Sequence, residues 1–216
     1  MSPPLFRLRG IRFAYDGFRP VLDGADFALA PGERVALVGG NGAGKTTLLH
    51  LMVGLLKPQA GEVVAFGRAR RAERDFHDVR ARAGLLFQDP DDQLFCPTVA
   101  EDVAFGPLNL GKTEAEARAI VARTLAQLGL DGLENRVTHR LSGGEKRLVT
   151  LATVLAMDPE VLLLDEPTNA LDEAAEARLT AVLLGLPQAM VIVSHDHAFR
   201  GRLAARTATL AGGRIQ

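Results

Sequence analysis

Apolar residues fall into patterns typical of β-strands at both ends of the chain. Near the N-terminus, residues 7–13 alternate arginine with apolar side chains, which predicts a half-exposed antiparallel strand. At the C-terminus, residues 207–215 predict a small hairpin that turns at a Gly-Gly pair. Short, continuous apolar runs are typical of buried parallel strands, and they occur at residues 35–38, 161–164 and 191–193.

Other segments repeat apolar residues at helical spacing. A helix is predicted to start at Lys45 and to stop at Gly54. Thr98 and Thr113 each precede a glutamate by three residues, the capping box in which a hydroxyl and a carboxylate satisfy N–H groups at a helix start. A further helix is predicted to start near Asp172. The helix after Thr113 stops near Gly129, and its predicted inward face comprises Ile120, Val121, Thr124, Leu125 and Leu128.

Strands and helices alternate in the first and last thirds of the chain, whereas the middle is mostly helical. Alternation implies a parallel sheet with helices on its faces, so the predicted fold class is α/β. We expect a core of about residues 1–88 and 158–216, which includes an N-terminal antiparallel β subdomain. A helical subdomain is expected at about residues 89–157, and the length of 216 residues suits one such domain.

The composition is that of a globular chain with little net charge. It has 25 Lys+Arg against 26 Asp+Glu, which excludes the domain-wide basic surface of a nucleic-acid-binding protein. Cys96 is the single cysteine, so neither an intrachain disulfide nor a Cys-based zinc site is possible. The arginine-rich residues 68–82 are interleaved with acidic residues, which predicts a solvated surface. No membrane span or signal pattern is present, so we expect a cytoplasmic protein that meets a membrane through a partner.

A glycine-rich segment lies between the first buried run and the first helix. It matches G-x-x-x-x-G-K-[ST], a loop whose backbone N–H groups turn inward around phosphate oxygens. The helix N-terminus adds partial positive charge, Lys45 supplies a charge for the outer phosphates, and Thr46 offers a hydroxyl to Mg²⁺. The alternative is a plain glycine-rich turn before a helix. The predicted nucleotide-binding residues are Gly39, Gly40, Asn41, Gly42, Ala43, Gly44, Lys45, Thr46 and Thr47.

Two carboxylates follow the buried run at residues 161–164. Ligands of open α/β sheets bind at the carboxyl ends of strands, so Asp165 can hold Mg²⁺ and Glu166 can polarise an attacking water. The alternative is a solvated Asp-Glu pair that opens a turn before Pro167. The phosphate loop favours the catalytic interpretation, because Mg²⁺–nucleotide sites of this class need a carboxylate there.

Residues 141–145 read Leu-Ser-Gly-Gly-Glu and also form a capping box, from Ser142 to Glu145. A helix start alone does not explain the adjacent glycines, which cost about 1–2 kcal/mol in helix propensity. The glycines make sense where backbone N–H groups and the Ser142 hydroxyl approach an anion closely.

The phosphate loop, residues 141–145 and the Asp165-Glu166 pair, in this arrangement, resemble the ATP-binding subunits of ABC transporters across nearly the whole chain. The resemblance implies a P-loop NTPase fold of the ABC type and hydrolysis of ATP with Mg²⁺. Residues 141–145 are similar to the ABC signature, with Glu145 where Gln is commoner. The nucleotide contacts that the signature implies are Ser142, Gly143, Gly144 and Glu145.

The resemblance also implies roles for residues outside these motifs. Tyr15 would stack on adenine, Gln88 would sense Mg²⁺ and water, and His195 would contact the γ-phosphate. Asp172 would belong to a dimer-contact loop at residues 170–172. The alternatives are that Tyr15 is an ordinary strand residue and that His195 caps a strand end.

Residues 87–95 and 98–107 are similar to the energy-coupling-factor group of micronutrient importers, and most of all to the cobalt and nickel ATPases of the CbiO type. In that group the region after Gln88 would meet a coupling helix of the membrane subunit. A groove between Gln93 and Phe105 would suit an amphipathic helix of that partner. Alternatively, or in addition, apolar residues here fill the helical subdomain: Leu94, Phe95, Val99, Val103 and Phe105.

One chain carries one phosphate loop and one signature, and in this family the two meet across a dimer interface. The resemblance therefore implies a homodimer that encloses two ATP molecules on the cytoplasmic face of the cell membrane and drives integral membrane subunits. The expected catalytic residues are Lys45, Gln88, Glu166 and His195, and the expected metal ligands are Thr46, Gln88 and Asp165. Two other classes stay open: a non-transport ABC ATPase of DNA repair or translation, and a regulatory ATP-binding module without turnover.

Overall fold

The computed structural model describes residues 3–16, 19–169 and 171–216. The strands are β1 (Phe6–Phe13), β2 (Leu22–Leu29), β3 (Arg34–Val38), β4 (Ala60–Ala65), β5 (Arg68–Arg70), β6 (Ala83–Leu86), β7 (Val161–Asp165), β8 (Ala189–Val193), β9 (Arg206–Ala211) and β10 (Arg214–Ile215). The helices are α1 (Lys45–Met52), α2 (His77–Arg82), α3 (Val99–Asn109), α4 (Glu114–Gln127), α5 (Gly143–Leu155), α6 (Glu173–Gly185) and α7 (His197–Leu203). The predicted α/β class is confirmed.

The chain divides into two compact units. Unit 1 consists of residues 1–85, 160–165 and 187–216, and unit 2 consists of residues 86–159 and 166–186. Helix α6 belongs to unit 2, although the sequence prediction placed its residues in the core. The predicted bounds of the helical subdomain, residues 89 and 157, stay a prediction.

Unit 1 contains the parallel strands expected from the short apolar runs. The six-stranded sheet has the order β10-β9-β3-β8-β7-β6, and β3, β7 and β8 are almost wholly buried. Strand β8 pairs in parallel with β3 on one side and with β7 on the other. Because the strands run the same way, the residues that follow their carboxyl ends share one edge of the sheet.

Unit 1 also contains a four-stranded antiparallel sheet with the order β2-β1-β4-β5. Strand β1 alternates buried and exposed residues as predicted, and a register shift between Leu8 and Ile11 falls at Gly10, whose φ is +59°. The buried faces of both sheets and of α1 form one apolar cluster, to which Phe6, Leu49 and Val191 belong. The C-terminal hairpin of β9 and β10 is confirmed.

The prediction of a solvated surface at residues 68–82 is wrong at Arg70, which is 7% exposed. Its guanidinium donates to the Ala65 and Asp75 carbonyls and to the Asp78 carboxylate. The hydrogen bond from Arg70 lowers the pKa of Asp78. A buried guanidinium is tolerated because these acceptors replace the water that it loses.

The described part of unit 2 is mainly helical, and it also contains an isolated β-bridge between Thr98 and Val137. The predicted capping boxes at the starts of α3 and α4 are both present, with Thr98 and Thr113 as the N-caps. Helix α4 buries Val121, Thr124 and Leu125 on the predicted face. The Arg178 side chain of α6 donates to the Leu128 carbonyl at the end of α4. None of the helices in the described ranges has the length and apolarity needed to cross a membrane.

Candidate functional site

The glycine-rich loop joins β3 to α1 as predicted. Gly44 is the N-cap of α1 and has a φ of +103°, a backbone conformation that side-chain-bearing residues rarely adopt. A Cβ at Gly39 would collide with the carbonyl oxygen of Leu210. The Ala43 N–H donates to the Gly40 carbonyl at 3.1 Å and closes the turn. The glycines therefore allow both the tight turn and the close packing of the loop against β9.

Lys45 is the first residue of α1 and is only 9% exposed. Its Nζ donates to the carbonyls of Gly39 at 2.9 Å and Gly40 at 3.1 Å. These bonds hold the ammonium group across the loop, where the N–H groups at the start of α1 also add positive potential. The loop thus has the features expected of an anion-binding cradle, and they come from local elements alone.

Tyr15 follows β1 and is 65% exposed, which is unusual for a large aromatic side chain. Its hydroxyl lies 2.9 Å from the Thr47 hydroxyl of α1, and its ring packs edge-on against Phe13 with centroids 5.0 Å apart. These contacts hold the ring beside the helix of the phosphate loop. The geometry supports stacking on a base, although this role stays a prediction.

The edge of the parallel sheet in unit 1 brings three candidate segments together. Val38 ends β3 before the phosphate loop, Asp165 ends β7, and Val193 ends β8 two residues before His195. Asp165 pairs in register with Val193 and is almost wholly buried. The side chain of His195 is exposed, and the N-cap of α7 is Asp196. The contact of His195 with the γ-phosphate and the alternative of a strand-end cap therefore both stay predictions.

The donor set at this edge suits Mg²⁺. Asp165 supplies a carboxylate and Thr46, in the first turn of α1, supplies a hydroxyl, and Mg²⁺ prefers oxygen ligands that it shares with nucleotide phosphates. The negative charge of Asp165 also acts on His50 of α1: burial lowers the pKa of His50, and Asp165 partly offsets this effect. Asp165 and α1 are therefore close enough to interact electrostatically.

In unit 2, the predicted signature forms the start of α5. The Ser142 hydroxyl accepts from the Glu145 N–H, and the Glu145 carboxylate accepts from both the Ser142 N–H and hydroxyl at 2.8 and 2.9 Å. These bonds lower the pKa of Glu145. A Cβ at Gly144 would lie 2.9 Å from Ala175 of α6, so packing is a second reason for a glycine there. Ser142 and Gly143 remain exposed.

Gln88 lies two residues after β6 in an exposed segment, residues 87–93, which we call the Gln loop. Arg147 of α5 donates to the Phe87 carbonyl at 2.7 Å and to the Gln88 carbonyl at 2.6 Å. Unit 2 thus joins the Gln loop to the helix that carries the signature. Sequence reasoning missed Arg147, although one basic residue on the same helical face as Leu151 and Val154 is a visible anomaly.

Glu166 follows Asp165 directly and has a φ of +45°. A residue with a side chain rarely adopts this conformation, and such strain is concentrated at functional sites. Asp172 accepts from the Ala175 N–H as the N-cap of α6, and its role in dimer contact stays a prediction. Ala170, predicted to lie in the same loop, is outside the described residues.

The match to known proteins decides the family. The family model described as "ABC transporter" matches residues 22–169, which is more than half of the chain. The chain belongs to the ABC transporter ATPase family. The resemblance inferred from the sequence motifs is therefore confirmed, and so are the ABC fold and the assignment as an ATPase.

Relatives of this ABC ATPase align over almost its whole length. A Brucella suis protein, named only at family level as an ABC transporter ATP-binding protein, is 56% identical over 98% of this chain and 88% of its own length. The cobalt import ATP-binding protein CbiO of Rhodobacter capsulatus is 47% identical over 98% of this chain and 77% of its own. The nickel import ATP-binding protein NikO of the same organism is 46% identical over 98% of this chain and 87% of its own length.

Solved structures agree on the fold of the ABC ATPase. CbiO1 of Clostridium perfringens, part of the transporter complex CbiONQ, has a TM-score of 0.88 and 32% identity, and the match covers 100% of this chain and 88% of that one. The ATP-binding cassette MJ0796, in a dimeric post-hydrolysis state with ADP and Pi, has a TM-score of 0.89 and 25% identity. The match covers 98% of this chain and 96% of that one.

Proposed function

We propose that this ABC ATPase is the ATP-hydrolysing subunit of an energy-coupling-factor importer, with cobalt ions as its cargo. The observation that carries the proposal is the edge of the sheet in unit 1, where the phosphate loop and the buried carboxylate of Asp165 follow strands of one parallel sheet. The relatives named for cobalt and nickel import point to a transition-metal ion as cargo.

The residues of unit 1 suit the binding of ATP. Backbone N–H groups of the loop and the Lys45 ammonium neutralise the β- and γ-phosphates, and Tyr15 stacks on adenine. Thr46, Asp165 and Gln88 would hold Mg²⁺, which would neutralise charge on the phosphates. Binding therefore depends on local positive groups rather than on net charge, which is −1 for the whole chain.

Hydrolysis requires a positioned water and a stabilised γ-phosphate. Glu166 follows Asp165 at the end of β7, and its carboxylate orients or deprotonates the attacking water. Its left-handed backbone fixes the direction in which the side chain leaves the strand. His195 follows the neighbouring strand β8 and contacts the γ-phosphate in this proposal.

We propose that two copies of the chain enclose two ATP molecules, with the signature residues Ser142, Gly143 and Gly144 of one copy on the γ-phosphate held by Lys45 of the other. The solved structure of MJ0796, a dimer bound to ADP and Pi, supports the pairing of two copies. Because ATP and ADP differ by that phosphate, ATP closes the dimer and hydrolysis reopens it.

The apolar surface of unit 2 suits a membrane subunit. The apolar residues that were predicted to fill the helical subdomain or to contact a partner differ in exposure. Val99 and Val103 are buried, whereas Phe95 is 64% and Phe105 is 46% exposed. The two phenylalanine rings pack edge to face with centroids 4.7 Å apart. Phe105 also lines a groove of about 560 Å³ between α3 and α4. An amphipathic helix of the membrane subunit is the occupant that this surface suits.

Copurification tests the assignment. We expect the tagged chain, isolated from detergent-solubilised membranes, to bring down integral membrane proteins. In liposomes, we expect Co²⁺ to stimulate ATP hydrolysis by that complex. Stimulation of hydrolysis by Ni²⁺ but not by Co²⁺ would identify nickel as the cargo. Recovery of ribosomes or DNA in place of membrane proteins would contradict the transport assignment.

The Glu166→Gln variant is the matched control for this assay. We expect it to bind ATP and to lower the hydrolysis rate by roughly a hundredfold or more, because the general base is lost. Hydrolysis at the wild-type rate would overturn the role assigned to Glu166. No phosphate release by the wild-type complex under any condition would instead favour a regulatory ATP-binding module.

A further inference from the structure

The guanidinium of Arg147 is the strongest link between the Gln loop and α5. The side chain is 2% exposed, and two of its nitrogens donate to the consecutive carbonyls of Phe87 and Gln88 at 2.7 and 2.6 Å. Charge-assisted hydrogen bonds of this length are roughly twice as strong as neutral ones. A buried guanidinium is also costly without its acceptors. The position of both carbonyls is therefore coupled to the position of Arg147.

A second side chain fixes the other end of the loop to the same helix. Gln93 Nε2 donates to the Thr150 carbonyl at 3.0 Å and to the Thr153 hydroxyl at 2.8 Å. Gln93 Oε1 accepts from the Phe87 N–H at 3.2 Å. One amide thus connects both ends of the loop with the middle of α5.

These contacts matter because the Gln loop has little structure of its own. Within it, only residues 90–92 form a short 3-10 turn, and Gln88 and Asp89 are exposed. The Lys146–Asp91 ion pair is 2.6 Å long, but Asp91 is largely exposed, so water screens the attraction. Arg147 and Gln93 are therefore the two side chains of unit 2 through which the described hydrogen bonds tie this loop to buried parts of α5.

We propose that Arg147 is the positioning residue of Gln88. Its hydrogen bonds to two backbone carbonyls fix the Gln loop to the signature helix α5. Gln88 is thereby held in the position that hydrolysis requires. The proposal rests on the proposed ATPase function and deepens it. ATP binding by the phosphate loop, which lies in unit 1, does not depend on Arg147.

The first test is the kinetics of Arg147→Met, which keeps an apolar stem and removes both donors. We expect kcat to fall roughly tenfold to a hundredfold, because a small displacement of a catalytic group has effects of this size, while the Kd for ATP changes less than about threefold. Arg147→Lys restores part of the rate. The control is Lys146→Met, which breaks an exposed ion pair on the same helix and leaves kcat within about twofold.

The second test is hydrogen–deuterium exchange of the same variants without nucleotide. We expect faster exchange in Arg147→Met at residues 86–93 and no change in α1 or β7. Faster exchange throughout unit 2 would mean that Arg147 only stabilises the fold, and unchanged exchange at residues 86–93 would also overturn the proposal. If Arg147→Met does not fold, the same measurement on Arg147→Lys decides the matter: we expect faster exchange at residues 86–93, because an ammonium group lacks the planar fork that reaches both carbonyls.

The third test asks whether Arg147 acts through Gln88. In a Gln88→Ala background, we expect Arg147→Met to change kcat by less than about twofold, because the group that it positions is gone. The proposal would be overturned if Arg147→Met lowered kcat by the same factor in the Gln88→Ala background as in the wild type. A wild-type chain that hydrolyses no ATP would refute the proposed function, and the exchange experiment would then decide on Arg147 alone.

Discussion

At the scale of single residues, Glu145 shows how the departure from the commoner Gln is accommodated. Its carboxylate accepts two hydrogen bonds from Ser142 and completes the capping box of α5. A glutamine at this position keeps one acceptor for the Ser142 N–H but carries no charge to favour the helix N-terminus. Glu145 therefore strengthens the helix start at neutral pH and makes it sensitive to acid.

The Glu145→Gln variant is expected to remove that sensitivity. The hydrogen bonds from Ser142 lower the pKa of Glu145 below its ordinary value of 4.5, so the carboxylate stabilises the fold above pH 4.5. This contribution is lost as the pH falls through the lowered pKa. Urea denaturation between pH 6 and pH 3 is expected to show a smaller loss of stability in the variant than in the wild type. Parallel curves would contradict the prediction.

Buried arginines were harder to predict than the phosphate loop. The loop and Lys45 could be inferred because eight consecutive residues match a motif with a physical purpose. Arg70 and Arg147 bind mainly backbone carbonyls, and every residue of the chain has one. The sequence therefore contains no information about which carbonyl lies within reach until the strands and helices are packed.

At the scale of elements, the junction between the phosphate loop and α1 depends on glycine conformation. Gly44 combines a φ of +103° with a tight environment, since a Cβ there would lie 2.7 Å from Val21 Cγ1. At Gly40, in the same loop, the φ is not left-handed, and a Cβ would meet no atom of the described residues within 4 Å. The two positions therefore compare a left-handed, closely packed glycine with an open glycine of ordinary φ in the same loop.

Gly44→Ala is expected to destabilise the protein, and Gly40→Ala is the matched control. Strain of about 1–3 kcal/mol at Gly44 corresponds to a fall in Tm of roughly 3–10 °C for a chain of this length. Calorimetry without nucleotide is the measurement, so that any effect on ATP binding does not enter. Equal melting temperatures for the two variants would show that the left-handed conformation of Gly44 is not needed.

Long periodic elements were predictable, and short ones were not. The starts of α4, α5 and α6 follow from capping residues, which act within each segment. Strand β5 has three residues, and it exists because it pairs with β4. Likewise, the sequence could not show that Val99 and Val103 are buried while Phe95 and Phe105 are exposed. Burial depends on which other residues pack against each side chain in the folded protein.

At the scale of the whole molecule, the predicted site residues fall into two sets. Unit 1 holds the phosphate loop, Tyr15, Asp165 and His195, whereas unit 2 holds Gln88, Glu166 and the signature. One chain contains a single copy of each set. In the proposed dimer, each ATP takes its phosphate loop from one copy and its signature from the other, which a mixed dimer can test.

Two mixed dimers give opposite results under the two possible arrangements. In the first, one copy carries Lys45→Ala and the other carries Ser142→Ala. If the signature acts across the interface, both defects fall on one ATP, and the second ATP has an intact site. In the second mixed dimer, one copy carries both substitutions and the other is wild type. Each ATP then meets one defect, and neither site is intact.

We therefore expect the first mixed dimer to retain about half of the wild-type trapping of ADP with vanadate, since one of its two sites is intact. The second mixed dimer is expected to trap almost none. The dimers are isolated with two different affinity tags, so that homodimers do not contribute. The reverse result would mean that each copy completes its own site, because a wild-type copy would then suffice. In that case Ser142 would serve α5 as its N-cap, and the ATP-driven closure proposed above would need another basis.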